Sequence, residues 1–247
     1  MRSNKIVVVI PARYASTRLP GKPLLEVDNK PIIQWVYERA SRSKLAGKVI
    51  VATDEYKIYN AVKAFGGNVV MTSPTHNSGS DRISEVVLKD AEIEIIVNVQ
   101  GDEPLISPES IDKSIEVLLK NDQIDISTLI RKINDKNEVE NPNLVKVVFD
   151  SQGNALYFSR SPIPYARNEE YAEYYGHIGL YAYKRESLLK MVSLDQSSYE
   201  LSESLEQLRA LQNGMKIGVI EVDYTPIGID TPEDFEKFKE LLKNKLV

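Results

Sequence analysis

Between Arg13 and Lys22 the chain places three cations, Arg13, Arg18 and Lys22, and no acid. They follow the apolar run 5–10, which ends at Pro11. Guanidinium forks match pairs of phosphate oxygens, and an ammonium adds a compact charge. The small residues Ala15, Ser16, Thr17 and Gly21 let backbone amides come close to a ligand, so a polyphosphate is the expected guest. A second candidate is "VNVQGDEPLI", 97–106, where Asp102 follows a buried run. It suits a hard-cation ligand and equally the acid of a turn. In "GIDTPED", 228–234, Thr231 and Asp234 are accounted for as the start of a helix. Asp230 is not, and becomes a candidate second metal ligand. The fourth stretch, "HNSGSDR", opens another helix with Ser78 or Ser80 as its cap, and a helix amino end attracts anions. Arg82 falls in its first turn, against the helix dipole, and so is expected to serve something else.

Chemistry falls to these stretches because several common site motifs are absent. The sequence has no GxxxxGK[ST], no GxGxxG after its first apolar run and no HExxH. With no cysteine, disulfides and thiolate chemistry are excluded. His76 and His177 are its only histidines, so a histidine-rich metal site is excluded and a Ser–His–acid triad could use only one of these two. The net charge of −5 gives no global field for nucleic acid, so any anion site must be local. No apolar run approaches a membrane span and no signal-peptide layout is present, so a soluble cytoplasmic protein is expected.

The elements that must position these residues follow from the periodicity. Nearly continuous β-branched runs at 5–10, 48–52, 68–72, 94–99 and 125–130 alternate with amphipathic stretches at 31–46, 56–65, 80–91 and 107–120. That alternation predicts a mainly parallel sheet covered on both faces, with ligands at the carboxyl ends of its strands. Beyond about residue 142 the pattern turns antiparallel. A hairpin is expected over 144–158, a strand over 177–183, a helix over 201–211, a strand over 216–222 and a closing helix over 232–242. One domain, 1–247, is expected, with 1–142 and 214–247 as its core and 143–213 as an extension.

Along nearly its whole length the chain resembles the 3-deoxy-manno-octulosonate (Kdo) cytidylyltransferases. The resemblance is carried by "IPARYASTRLPGKPL", "VATD", "SGSDR", "VNVQGDEP", "ALYFSRSPIP", "HIGLYAY", "LEQLRAL" and "GIDTPED". It implies an α/β, Rossmann-like nucleotide-diphospho-sugar transferase fold whose antiparallel extension binds sugar and forms a homodimer. It implies CTP and Kdo as substrates, Mg²⁺ as cofactor, and CMP-Kdo for lipopolysaccharide biosynthesis as product. By resemblance, Arg13, Arg18 and Lys22 hold the triphosphate, Pro11, Ala12, Ser78 and Arg82 bind the nucleotide, and Gln100 lies near both substrates. Asp102 and Asp230 match the metal ligands and, with Arg13 and Lys22, form the catalytic set. Arg160, His177, Tyr181, Glu206 and Gln207 would meet the sugar. Three rival readings are an 8-amino-Kdo enzyme, a sialic acid enzyme and a catalytically silent sugar-nucleotide sensor.

Overall fold

The computed structural model describes residues 2–15 and 19–244. In chain order the elements are β1 (Ser3–Ala12), β2 (Glu26–Val27), β3 (Lys30–Pro31), α1 (Ile32–Ala40), β4 (Ala46–Thr53), α2 (Tyr56–Ala64), β5 (Val69–Met71), α3 (Gly79–Leu88), β6 (Ile95–Asn98) and α4 (Pro108–Lys120). They continue with β7 (Ile126–Ile133), α5 (Lys136–Glu140), β8 (Lys146–Phe149), β9 (Ala155–Ser159), β10 (Tyr174–Lys184), α6 (Arg185–Ser193), α7 (Ser198–Glu203), α8 (Gln207–Gln212), β11 (Ile217–Glu221) and α9 (Pro232–Lys243). The chain forms two compact units, Met1–Asp112 with Pro226–Val247, and Lys113–Thr225. Residues 113–142 therefore group with the segment expected to be the extension, as does β11.

In the first unit four strands run parallel in the order β6-β1-β4-β5. Val7, Val8, Val9 and Ile10 of β1 are fully buried, as a strand covered on both faces requires. From β1 the chain steps outward to β4 and β5, then returns to the other side of β1 as β6. That reversal opens a crevice at the carboxyl ends of β1 and β6, where open α/β sheets bind ligands. Helix α1 ends at Ala40, short of the expected 46. The Ser41 hydroxyl caps the Tyr37 carbonyl, and Asp112 accepts from the Ser43 hydroxyl and from the amides of Lys44 and Leu45. These bonds draw 43–45 into a turn that feeds β4. Helix α9 packs on α1 through fully buried Phe238, whose ring meets Trp35 edge-on at 5.9 Å.

In the second unit β7 pairs antiparallel with β10 and parallel with β11, and β8 pairs antiparallel with both β9 and β10. The β8–β9 hairpin and the β10 strand lie where the sequence predicts them. The single helix predicted over 201–211 is instead two short ones. Ser204 adopts a left-handed φ of 52° between α7 and α8, a conformation that stops a helix. The break is fixed by Glu203, whose carboxylate accepts the Ser159 hydroxyl at 2.6 Å and the Arg160 amide at 2.9 Å. The mixed α/β class, mainly parallel with an antiparallel part, is the one expected.

Candidate active site

The crevice of the first unit has a volume of about 450 Å³ and is lined by Pro11, Ala12, Arg13, Lys22, Ser78, Gln100 and Asp102, among others. Three segments converge there. Strand β1 delivers Pro11, Ala12 and Arg13. The turn after β6 delivers Gln100 and Asp102 and approaches β1 closely, for a Cβ on Gly101 would stand 3.0 Å from the Pro11 carbonyl oxygen. A side chain there would press on that backbone, and glycine avoids the contact. The amino end of α3 completes the wall. Ser78 caps it with a full capping box, its hydroxyl accepting the Asp81 amide while the Asp81 carboxylate accepts the Ser78 amide. That settles the cap as Ser78, leaving Ser80 buried in the helix.

Lys22 begins a single 3₁₀ turn, Lys22–Leu24, entered through Gly21 at a left-handed φ of 69°. Its ammonium donates to Asp102 Oδ2 at 2.5 Å and to Asp230 Oδ1 at 2.9 Å, although 80 and 208 residues separate them. The convergence has a local cause. The Ile229 amide donates to the Asp102 carbonyl at 2.9 Å, fastening one loop to the other. Asp230 is then presented at the start of α9, where Thr231 and Asp234 form a full capping box. Burial works against the Lys22 charge, but Asp102 and Asp230 outweigh it and raise its pKa above the usual lysine value. Glu103 is buried, and burial followed by the charge of Asp102 pushes its carboxyl up to about 8.

Asp102 and Asp230 offer two hard oxygens that already converge on one positive charge. Such a donor set suits Mg²⁺, which takes few protein carboxylates and completes its shell with phosphate oxygens and water. Among the described residues no group of three or more His, Asp or Glu is placed to hold a metal ion unaided. None of the described helices is long and apolar enough to cross a membrane.

The other expected residues lie as follows. Arg13 Nη2 donates to the His76 carbonyl at 2.5 Å and to the Ser78 carbonyl at 3.2 Å. Arg18 lies outside the described residues. Arg82 is fully buried, and its guanidinium donates to Thr72 Oγ1 and to Asp54 Oδ2 at 2.9 Å. Its place in the first turn of α3 is explained by that ion pair, which ties the loops after β4 and β5 to the helix. The sequence does not flag Asp54 as its partner, because nothing local marks a contact across 28 residues.

The five residues assigned to a sugar belong to the second unit. On β10 the His177 ring meets the Phe158 ring at 5.1 Å and the Tyr181 ring at 5.3 Å, and its Nε2 lies 2.9 Å from Thr128 Oγ1. Burial pushes the His177 pKa down to about 3, so the imidazole is neutral at working pH. Burial first, then Tyr183 and Glu206, holds the Tyr181 phenol well above its usual value. Gln207 is buried at the start of α8, and its amide nitrogen has no hydrogen-bond partner among the described residues. Arg160 spends its side chain on carbonyls, donating to Glu203 at 2.7 Å and to Pro142 at 3.0 Å.

Known proteins resemble this chain along nearly its whole length. A profile of the family described as cytidylyltransferase matches residues 7–217. The 3-deoxy-manno-octulosonate cytidylyltransferase of Geobacter sulfurreducens is 48% identical over 249 residues, covering 96% of this chain and 99% of that protein. Its counterpart from Thermodesulfovibrio yellowstonii is 51% identical, with 96% and 97% covered. A solved structure of CMP:2-keto-3-deoxy-manno-octonic acid synthetase complexed with CTP superposes at a TM-score of 0.93 and 45% identity, over 97% of this chain and 99% of that one. A cytidylyltransferase from Leptospira borgpetersenii, 22% identical at a TM-score of 0.67, shares the fold.

Proposed function

The chain belongs to the 3-deoxy-manno-octulosonate cytidylyltransferase family, and from that premise we propose that it transfers CMP from CTP to the anomeric hydroxyl of Kdo, releasing pyrophosphate. The observation that carries the reading is the crevice of the first unit. There Arg13, Lys22 and the capped end of α3 surround the position to which Asp102 is delivered, with Asp230 on the same ammonium.

In the reaction an oxygen–phosphorus bond forms between the sugar hydroxyl, which gives up its proton to solvent, and the α-phosphorus as the bond to the β-phosphate oxygen breaks and pyrophosphate leaves with its electron pair. Such transfers depend on positioning and charge neutralisation more than on covalent help from the protein. Arg13 and Lys22 supply the positive charge for the triphosphate, and the amides at the start of α3 add partial charge of the same sign. Asp102 and Asp230 would hold Mg²⁺, which when bound neutralises phosphate charge and acidifies the attacking hydroxyl. Lys22 bridges the two carboxylates and holds them side by side. Recognition of the sugar carboxylate and hydroxyls is assigned to Arg160, His177, Tyr181, Glu206 and Gln207 of the second unit. The unpaired Gln207 amide and the neutral His177 ring support that role, whereas the carbonyls around Arg160 give it a framework duty as well. A cytoplasmic homodimer belongs to the same reading.

The relatives' names favour Kdo over 8-amino-Kdo and sialic acid, and their shared activity disfavours a silent sensor. Pyrophosphate release should be assayed for CTP, UTP and ATP, each against Kdo, 8-amino-Kdo and sialic acid. The expected result is release with CTP and Kdo, dependent on Mg²⁺. Release only with another pair redirects the assignment, and no release with any pair favours a sensor.

A further inference from the structure

The wall of the crevice at Ser78 is steadied by a segment outside the reacting set. Between β5 and α3 the chain passes through Ser73, Pro74, Thr75, His76 and Asn77. His76 is held from two sides. Its carbonyl accepts Arg13 Nη2 at 2.5 Å, and its ring Nε2 lies 2.6 Å from Glu85 Oε2. Glu85 stands on α3 and is itself over-determined. The same oxygen accepts the Ser73 amide at 2.8 Å, and Oε1 accepts Lys89 Nζ at 2.6 Å. Both partners are mostly withdrawn from solvent, with side chains 18% and 24% exposed. Burial alone would raise the Glu85 pKa, but Lys89, the Ser73 amide and His76 together bring it down to about 2. The carboxylate is therefore charged at working pH and can only accept, so the Nε2–H tautomer of His76 is the one that fits this contact.

Helix α3 thus reaches back through Glu85 to fix an imidazole, and the same residue's main chain receives an arginine of the crevice. We infer that His76 is a positioning residue for the nucleotide: its ring, pinned by Glu85, sets the carbonyl that aims Arg13 at the triphosphate. The inference rests on the reading of CTP as substrate. It assigns His76 no contact with the reacting atoms. Losing the ring contact frees the 73–77 segment to shift, and with it the nearer of the two carbonyls that orient Arg13. Nucleotide binding then suffers, and kcat falls to the extent that Arg13 neutralises the triphosphate in the transition state, while Kdo binding does not change.

The experiment compares wild type with His76→Ala, His76→Gln and Glu85→Gln. It reads CTP Kd by calorimetry, kcat with the separate KM values for CTP and Kdo, and melting temperature. A lost hydrogen bond to a charged partner corresponds to about tenfold in affinity. His76→Ala is expected to raise the CTP Kd and KM by that factor, with the KM for Kdo unchanged. His76→Gln, whose amide nitrogen reaches toward the place of Nε2, is expected to recover most of the loss. Glu85→Gln is expected to fall between them, and it decides the matter alone if His76→Ala does not fold. An unchanged CTP Kd in the folded variants overturns the inference. So does a parallel loss for both substrates that His76→Gln fails to rescue. A wild-type chain that does not bind CTP overturns the functional reading itself, and this inference with it.

Discussion

At the scale of single residues, much of the geometry comes from giving each buried or half-buried charge a partner. Lys22 answers Asp102 and Asp230, Arg82 answers Asp54, and Arg209 answers Glu200, with both members of the last pair buried. An isolated charge in such places would cost several kcal/mol, so each partner is required by burial as much as by function. Local sequence shows one half of these pairs at most. The cation run stood out by composition and Asp230 because the helix start did not account for it, whereas Asp102 read equally as the acid of a turn. The burial of Arg82 was not, since its partner comes from another loop. His177 gives a residue-scale prediction. Its folded pKa is depressed from the usual 6.5 to about 3, so between those values the unfolded chain binds a proton that the folded ring does not. Its contribution to stability therefore falls as pH is lowered through that window and is constant above it. Imidazole NMR should show the His177 ring neutral at pH 5, and a titration midpoint near 6.5 would contradict the burial argument.

At the scale of elements, the site depends on how α9 and α3 begin. Helix α9 delivers Asp230 because Thr231 stops the chain there and Phe238 anchors the helix on Trp35. Phe238→Ala should destabilise the protein by about 3–5 kcal/mol, and Thr231→Ala by about 1 kcal/mol, both read by chemical denaturation. A loss below about 1 kcal/mol for Phe238→Ala would mean that α9 is not held as described. Strand runs and the hairpin were readable from period and turn residues. The early end of α1 and the break between α7 and α8 were not. Each involves a carboxylate bonded across the fold: Asp112 takes the hydroxyl and amides of 43–45, and Glu203, the last residue of α7, accepts from Ser159 and Arg160. Long-range bonds of this kind override helix propensity without leaving a periodic trace.

At the scale of the whole molecule, an acidic chain handles a polyanion by gathering local cations within its first unit. The net charge of −5 does not describe the crevice, where Arg13, Lys22 and a helix amino end stand together. The grouping into two units was not readable from composition, because no linker or shift of residue type marks residues 112 and 225. The residues assigned to nucleotide and metal fall in the first unit and those assigned to sugar in the second, so on the proposed function the phosphate chemistry belongs to one unit. The most direct test of that account is pyrophosphate release from CTP and Kdo by wild type and by Asp102→Asn at saturating Mg²⁺, with melting temperature measured alongside. The account predicts robust release by wild type and a loss of about a hundredfold or more in kcat for the variant, with an intact fold. Near-wild-type turnover by folded Asp102→Asn would contradict it.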